Sequence, residues 1–287
     1  MLTKLKKLFL LSTHLNRFPD FTIVGAQKAG TTALYEYLSK HPQIQATKEK
    51  EPHYFDCEER YKLGTQYYRS LFQFDLDLKL TFDASAGYLV YDKAPRRIYE
   101  HNPNIKIIIL LRNPVERAYS AWNMYKGLYS SNRNWFFDDW VSHSKDVDFT
   151  VLRRHDDRIS NFFEYVVDEI NLQNDSGSSV VLEAPILCHG HYYEQIQRYL
   201  SLFHENQILI IENSEIRLNT IECLQRVEMF LGVSGCDWEN MDIAPVFEGK
   251  YSDPIDEAAK RFLYDYYASS NEQIFELLGK RYEWELK

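Results

Sequence analysis

The segment Phe21-Thr-Ile-Val-Gly25-Ala-Gln-Lys-Ala-Gly30-Thr31-Thr32 constrains this chain more than any other. A β-branched apolar run turns through two glycines into Thr32–Lys40, where Leu34, Tyr37 and Leu38 fall at helical spacing. Glycine lets the backbone bend tightly, and the first turn of a helix presents N–H groups with partial positive charge. The spacing therefore predicts an anion site at a strand-to-helix junction. His41-Pro42 stops the helix, because proline disfavours helix in the residue before it. Leu80–Phe82, Ile105–Leu111 and Gln207–Ile211 read as further buried strands. Glu194–Phe203, Thr220–Leu231 and Asp256–Leu278 read as helices. That alternation implies an α/β fold with a P-loop-type parallel β-sheet flanked by helices on both faces.

The glycine spacing is also that of nucleotide-triphosphate loops, but those place lysine directly after the second glycine, where this chain has Thr31. Its lysine, Lys28, lies inside the loop. The strand Ile105–Leu111 runs on into Arg112-Asn113 and lacks the aspartate that would hold magnesium. Both departures weigh against a kinase-like phosphotransferase. The run Leu111-Arg112-Asn113-Pro114-Val-Glu-Arg117-Ala-Tyr-Ser120 places an arginine at a strand's carboxyl edge. Pro114 can begin a helix that carries Ser120 two turns along. A forked guanidinium and a hydroxyl reaching back suit a second phosphate.

Lys48-Glu-Lys-Glu51-Pro-His53-Tyr-Phe-Asp56 gathers acid, base and aromatic groups just beyond the first helix. A positioned carboxylate or imidazole can remove a proton from an attacking hydroxyl, and a nearby lysine can stabilise a leaving phosphate oxygen. On sequence alone a glutamate beside two lysines reads more often as a solvated charge cluster, and a lone histidine more often as a structural one.

Taken together, these segments resemble the motifs of sulfotransferases that use 3′-phosphoadenosine 5′-phosphosulfate (PAPS) and release 3′-phosphoadenosine 5′-phosphate (PAP). The branch is that of the heparan sulfate enzymes and their bacterial relatives, and the similarity runs from about Phe18 to Trp284. The resemblance implies that Lys28, Ala29, Gly30, Thr31 and Thr32 hold the 5′-phosphosulfate, and that Arg112 and Ser120 hold the 3′-phosphate. It implies a closing loop at Gly249 and Lys250, where the heparan enzymes usually carry arginine. It makes Glu51 the base, Lys28 the stabiliser of the leaving group, and His53 a supporting or alternative base. Asp56, Ser85, Tyr88 and Trp122 are the residues expected on the acceptor side. The heparan enzymes carry a lysine where this chain has Ala84, so a neutral or cationic small molecule, glycolipid or simple sugar is the expected acceptor. No metal is expected. A decayed, non-catalytic nucleotide binder is the other alternative, and the joint presence of Lys28, Glu51, His53, Arg112 and Ser120 weighs against it.

The formal net charge of −9 over 287 residues argues against nucleic acid or another strongly anionic polymer as partner. Near the N-terminus the apolar run Leu8–Leu11 spans four residues, short of the roughly 7–15 of a signal peptide or the about 20 of a membrane span. Cys57, Cys188, Cys223 and Cys236 are scattered without metal-ligand spacing, which fits reduced thiols and a cytoplasmic setting. No linker divides the chain. The expectation is one sulfotransferase domain over 1–287, with an N-terminal arm at 1–17 and a helical insertion at 126–187 capping the acceptor cleft. Within that insertion Asn171–Ser179 reads as an exposed loop.

Overall fold

The computed structural model describes residues 18–72, 80–136, 138, 150–152, 158–175, 180–241, 243 and 254–286. In chain order the first elements are β1 (Phe21–Gly25), α1 (Thr31–Ser39), β2 (Ile44–Ala46), α2 (Glu58–Lys62), α3 (Gly64–Ser70), β3 (Leu80–Ala84), α4 (Ala94–His101) and β4 (Lys106–Leu111). They continue as α5 (Pro114–Ser131), β5 (Thr150–Leu152), α6 (Phe162–Asp175), β6 (Val180–Leu182), α7 (Tyr192–Leu200), β7 (Ile208–Glu212), α8 (Asn213–Leu218), α9 (Thr220–Leu231) and α10 (Glu257–Leu278). They group into two compact units. The first takes the described residues of Met1–Leu111 and Arg198–Phe247, and the second those of Arg112–Gln197 and Glu248–Lys287.

The first unit is built on a five-stranded sheet in the order β2-β3-β1-β4-β7, and every pairing in it is parallel. β1 lies at the centre and is buried along its whole length, which is why its sequence is continuously apolar or β-branched rather than alternating. Its register sets Thr22 beside Asp83 and Ile23 beside Ala84 on β3, and Ile23 beside Ile108 on β4. Between Ile23 and Gly25 the pairing with β4 slips by a residue, so the strand bends as it enters the glycine turn. The strands expected at 80–82, 105–111 and 207–211 are present with their ends adjusted by a residue or two. β2, only three residues long, escaped the sequence because so short a run carries no usable period.

The second unit packs α5, α6 and α10 around Tyr119, Trp122, Tyr125, Phe162, Tyr165, Leu263 and Tyr267. It holds a separate parallel pair, β5 with β6. It begins at Arg112, ahead of the 126–187 stretch marked as an insertion, and it also includes α10. The loop expected from Asn171 is helix as far as Asp175. Phe162, Tyr165 and Val166 bury one face of α6, and that burial outweighs the polar composition of its end. Residues 176–179 lie outside those described.

Candidate active site

The glycine turn is shaped by what surrounds it. A Cβ on Gly25 would stand 2.8 Å from Leu89 Cβ and 2.9 Å from the Ala86 carbonyl oxygen. Gly30 caps α1 at φ 104°, and a Cβ there would meet Asn213 Nδ2 at 3.0 Å. The loop is held from below, since Ala26 N–H donates to the Leu110 carbonyl at 2.7 Å and Asn213 Nδ2 donates to the Ala29 carbonyl at 2.9 Å. Gly30 supplies no side-chain cap, and the first helical bond runs from Leu34 N–H to the Gly30 carbonyl. The amides of Thr31, Thr32 and Ala33 are thus left at the positive end of the helix dipole, as a phosphate group requires. Lys28 sits in this loop with φ 67°, in the left-handed region.

Glu51 and His53 share that backbone feature, with φ of 59° and 47°. Each non-glycine residue held so costs of order 1 kcal/mol, which the surrounding structure must offset. The result is a short line of charges. His53 Nδ1 lies 2.9 Å from Asp56 Oδ2, and Nε2 lies 3.4 Å from Glu51 Oε2. Glu51 Oε1 in turn accepts from Lys50 Nζ. Burial opposes ionisation of Glu51, but the hydrogen bond from His53 and the Lys50 charge outweigh it and hold the carboxyl at about 2. Burial likewise opposes the charge on His53, but Asp56 and Glu51 outweigh it and raise the imidazole to about 10. At neutral pH Glu51 is therefore a carboxylate and His53 an imidazolium.

The end of β3 supports this line from beneath. Glu51 N–H donates to the Ala84 carbonyl at 2.9 Å, His53 N–H to Ser85 Oγ at 3.0 Å, and Tyr54 N–H to the Tyr88 hydroxyl at 3.1 Å. Tyr88 then donates to Asp83 Oδ2 at 2.9 Å. Asp56 packs over Gly87, where a Cβ would collide with its carboxylate. Ser85 and Tyr88 were expected to meet the acceptor. Both are 0% exposed and their hydroxyls are committed to the backbone of this segment, so they position it instead. Asp83, fully buried, is pushed up to about 6 by desolvation against the hydroxyls around it.

In the second unit Arg112 follows β4 directly, and Nε and Nη2 reach Glu116 Oε2 at 3.3 and 3.2 Å. Its carbonyl accepts from the Tyr192 hydroxyl at 2.8 Å. Asn113 caps α5 by accepting from Val115 N–H at 3.0 Å, which starts the helix that carries the buried Ser120. Trp122, expected at the acceptor, is core. It packs on Tyr119 and Phe162, and Nε1 donates to the Ile159 carbonyl at 3.0 Å. Tyr125 is buried in the same cluster. His189 is also buried, and desolvation with the nearby Arg117 charge lowers it to about 3. Gly249 and Lys250 lie outside the described residues.

Sequence reasoning missed Asn213, Asp83, Arg60 and Arg97. They reach the site from elements far along the chain or through backbone carbonyls, and neither leaves a motif. Among the described residues His41, Glu228 and Cys236 also approach one another, with possible ligand atoms within 4.8 Å. His41 Nδ1 accepts the Gln43 N–H at 3.1 Å, which leaves the ring proton on Nε2 facing Glu228 Oε1 at 3.3 Å. That oxygen also accepts from Cys236 N–H at 2.9 Å and Trp238 Nε1 at 2.8 Å. The cluster is a closed hydrogen-bonded joint.

Human bifunctional heparan sulfate N-deacetylase/N-sulfotransferase 1 is 28% identical over 294 residues, covering 92% of this chain and 30% of that protein. The membrane-associated sulfotransferase kil1 of Dictyostelium discoideum is 28% identical over 318 residues, covering 93% of this chain and 66% of that protein. This chain therefore spans under a third of the first relative and about two thirds of the second. A solved sulfotransferase from Alicyclobacillus acidocaldarius has the same fold, with a TM-score of 0.65, 24% identity, and coverage of 93% of this chain and 99% of that one. The family model described as Sulfotransferase domain matches residues 18–248, and the chain belongs to that family.

Proposed function

We propose that the chain is a PAPS-dependent O-sulfotransferase in which Glu51 is the general base. The observation that carries this reading is the Glu51–His53–Asp56 line at the end of β3, in the same unit as an uncapped, glycine-shaped anion loop. When bound, PAPS supplies the sulfonate and leaves as PAP. The fit is supported by the glycines whose Cβ atoms would crowd the loop and by the free first-turn amides of α1.

Gly25 to Thr32 would hold the 5′-phosphosulfate, with Lys28 offsetting charge on the leaving phosphate oxygen. Arg112 and Ser120 would take the 3′-phosphate. Glu51 would accept the proton of the acceptor hydroxyl as that oxygen takes up the sulfonate. Its two oxygens rest against Lys50 and His53, and each of these donors that an arriving hydroxyl displaces raises the proton affinity of the carboxylate. His53, already an imidazolium, orients Glu51 rather than competing for the proton.

The acceptor is a hydroxyl of a neutral or cationic small molecule, glycolipid or simple carbohydrate. The net charge of −9 and the small, buried Ala84 support that reading, because neither favours a heavily sulfated chain. A cytoplasmic setting is part of the proposal. All four cysteines are free, and no described helix is long and apolar enough to cross a membrane.

Calorimetric titration with PAP, using ADP as comparator and no magnesium, tests the cofactor. Binding that depends on the 3′-phosphate is expected. Equal or tighter binding of ADP, strengthened by magnesium, would overturn the reading in favour of a phosphotransferase.

A further inference from the structure

The segment from Glu51 to Asp56 is irregular, carries two left-handed residues, and still presents three side chains in one line. Its amides are held by the end of β3, as described. Its carbonyls are held from another direction by two guanidinium groups. Arg60, on α2, donates from Nη1 to the Pro52 carbonyl at 2.7 Å. Arg97, on α4, donates from Nη1 to the Phe55 carbonyl at 3.0 Å. Pro52 lies between Glu51 and His53, and Phe55 directly precedes Asp56. The two bonds therefore fall on either side of the imidazole.

Arg97 is itself fixed. Nη2 donates to Glu58 Oε1 at 2.6 Å, and the guanidinium stacks 4.0 Å from the centre of the Tyr61 ring. Glu58 Oε1 also accepts from the Tyr91 hydroxyl at 2.5 Å and from Lys93 Nζ at 3.0 Å. Burial opposes the Glu58 charge, but these donors outweigh it and hold the carboxyl at about 2. One planar fork thus ties a carbonyl to a carboxylate while resting on an aromatic face, a geometry that a lysine ammonium cannot copy.

We infer that Arg60 and Arg97 are positioning residues for the proposed transfer, gripping the Pro52 and Phe55 carbonyls so that Glu51, His53 and Asp56 keep their mutual geometry. The inference rests on the reading of Glu51 as base, but its first measurement does not depend on that reading. The charged groups facing the His53 ring are Glu51 and Asp56, with Lys50 behind Glu51 and the buried Asp83 behind Asp56. None is removed by changing either arginine.

The test uses the full chain with Arg97→Lys, Arg97→Met and Arg60→Gln. The His53 ring proton is titrated by NMR without cofactor or acceptor, and assigned by its loss in His53→Gln. Loosening the segment should lower the His53 midpoint by at least about one unit, since the shift depends on contacts of a few ångströms. It should also lower kcat about tenfold or more while KM for PAPS changes less than about threefold. Arg97→Lys should lie between wild type and Arg97→Met. A cooperatively folded variant that titrates and turns over like wild type overturns the proposal. If both Arg97 variants fail to fold, Arg60→Gln decides by the same two readouts. Intact turnover in Glu51→Gln would remove the base assignment alone, and the ring titration would still judge the clamps.

Discussion

Asp56 Oδ2 stands 2.9 Å from Nδ1 of His53, and that contact fixes the face the imidazole turns toward Glu51. The ring is thereby a cation that orients Glu51, the residue proposed above as the base.

Asp56→Asn removes the larger of the two charges that raise His53, so its midpoint should fall from about 10 toward the ordinary range near 6.5. The sign for stability follows. A group raised on folding stabilises fully below its unfolded value, and that contribution is lost as pH climbs through 6.5 to about 10. The wild-type melting temperature should drop over that window more steeply than that of Asp56→Asn. Parallel curves in thermal melts from pH 6 to 10 would remove the His53–Asp56 pair from the account.

Glu51→Gln keeps the shape of the side chain but cannot accept the proton. Turnover should fall by roughly two or more powers of ten, with PAP affinity changed less than about threefold. Single-turnover kinetics beside calorimetry separate the two effects, and near-normal turnover would sink the base assignment.

Lys28→Ala should weaken both PAP binding and the rate, because in the proposed function the ammonium would act on the same phosphate in the ground state and as charge develops. A rate unchanged at saturating PAPS would refute its role at the leaving oxygen.

Gly30→Ala places a methyl 3.0 Å from Asn213 Nδ2 at φ 104°. The expected cost is about 1–3 kcal/mol in urea denaturation, with PAP affinity lowered because the loop must shift. Unchanged stability would show that the loop tolerates a side chain at its sharpest point.

Asp83→Asn tests the buried acid beneath the segment. Asp83 is raised to about 6, so its ionisation costs stability as pH rises from its unfolded value near 3.8 through 6. The asparagine should match wild type near pH 4 and be more stable by roughly 1–3 kcal/mol at pH 8, at about 1.4 kcal/mol per unit. A destabilised variant at pH 8 would mean that the carboxylate is held by stronger contacts than the Tyr88 hydroxyl.

Much of the fold was legible because β1 and β4 are buried almost throughout and β7, a part-buried edge strand, is still an unbroken apolar run up to Glu212. The glycine turn was legible because its backbone demands that residue. β2, with three residues, and the end of α6, polar in composition, were not, because length and tertiary packing decided them. At the site, Glu51, His53 and Asp56 lie close in sequence and could be read together. Ser85, Tyr88 and Trp122 were assigned to the acceptor, but composition cannot tell an exposed ring or hydroxyl from one committed to the backbone or the core. Arg60 and Arg97 act on carbonyls, which every residue has, so no pattern announces them.

Lys50, Glu51, His53 and Asp56 together carry two positive and two negative charges, which sum to zero. Beyond a Debye length of about 8 Å at physiological salt, such a line has almost no field of its own. Under the proposed function, a multiply charged anion diffusing toward the loop would therefore meet no net repulsion from these four groups. Only a hydroxyl that opened the line on contact would meet the negative charge of Glu51.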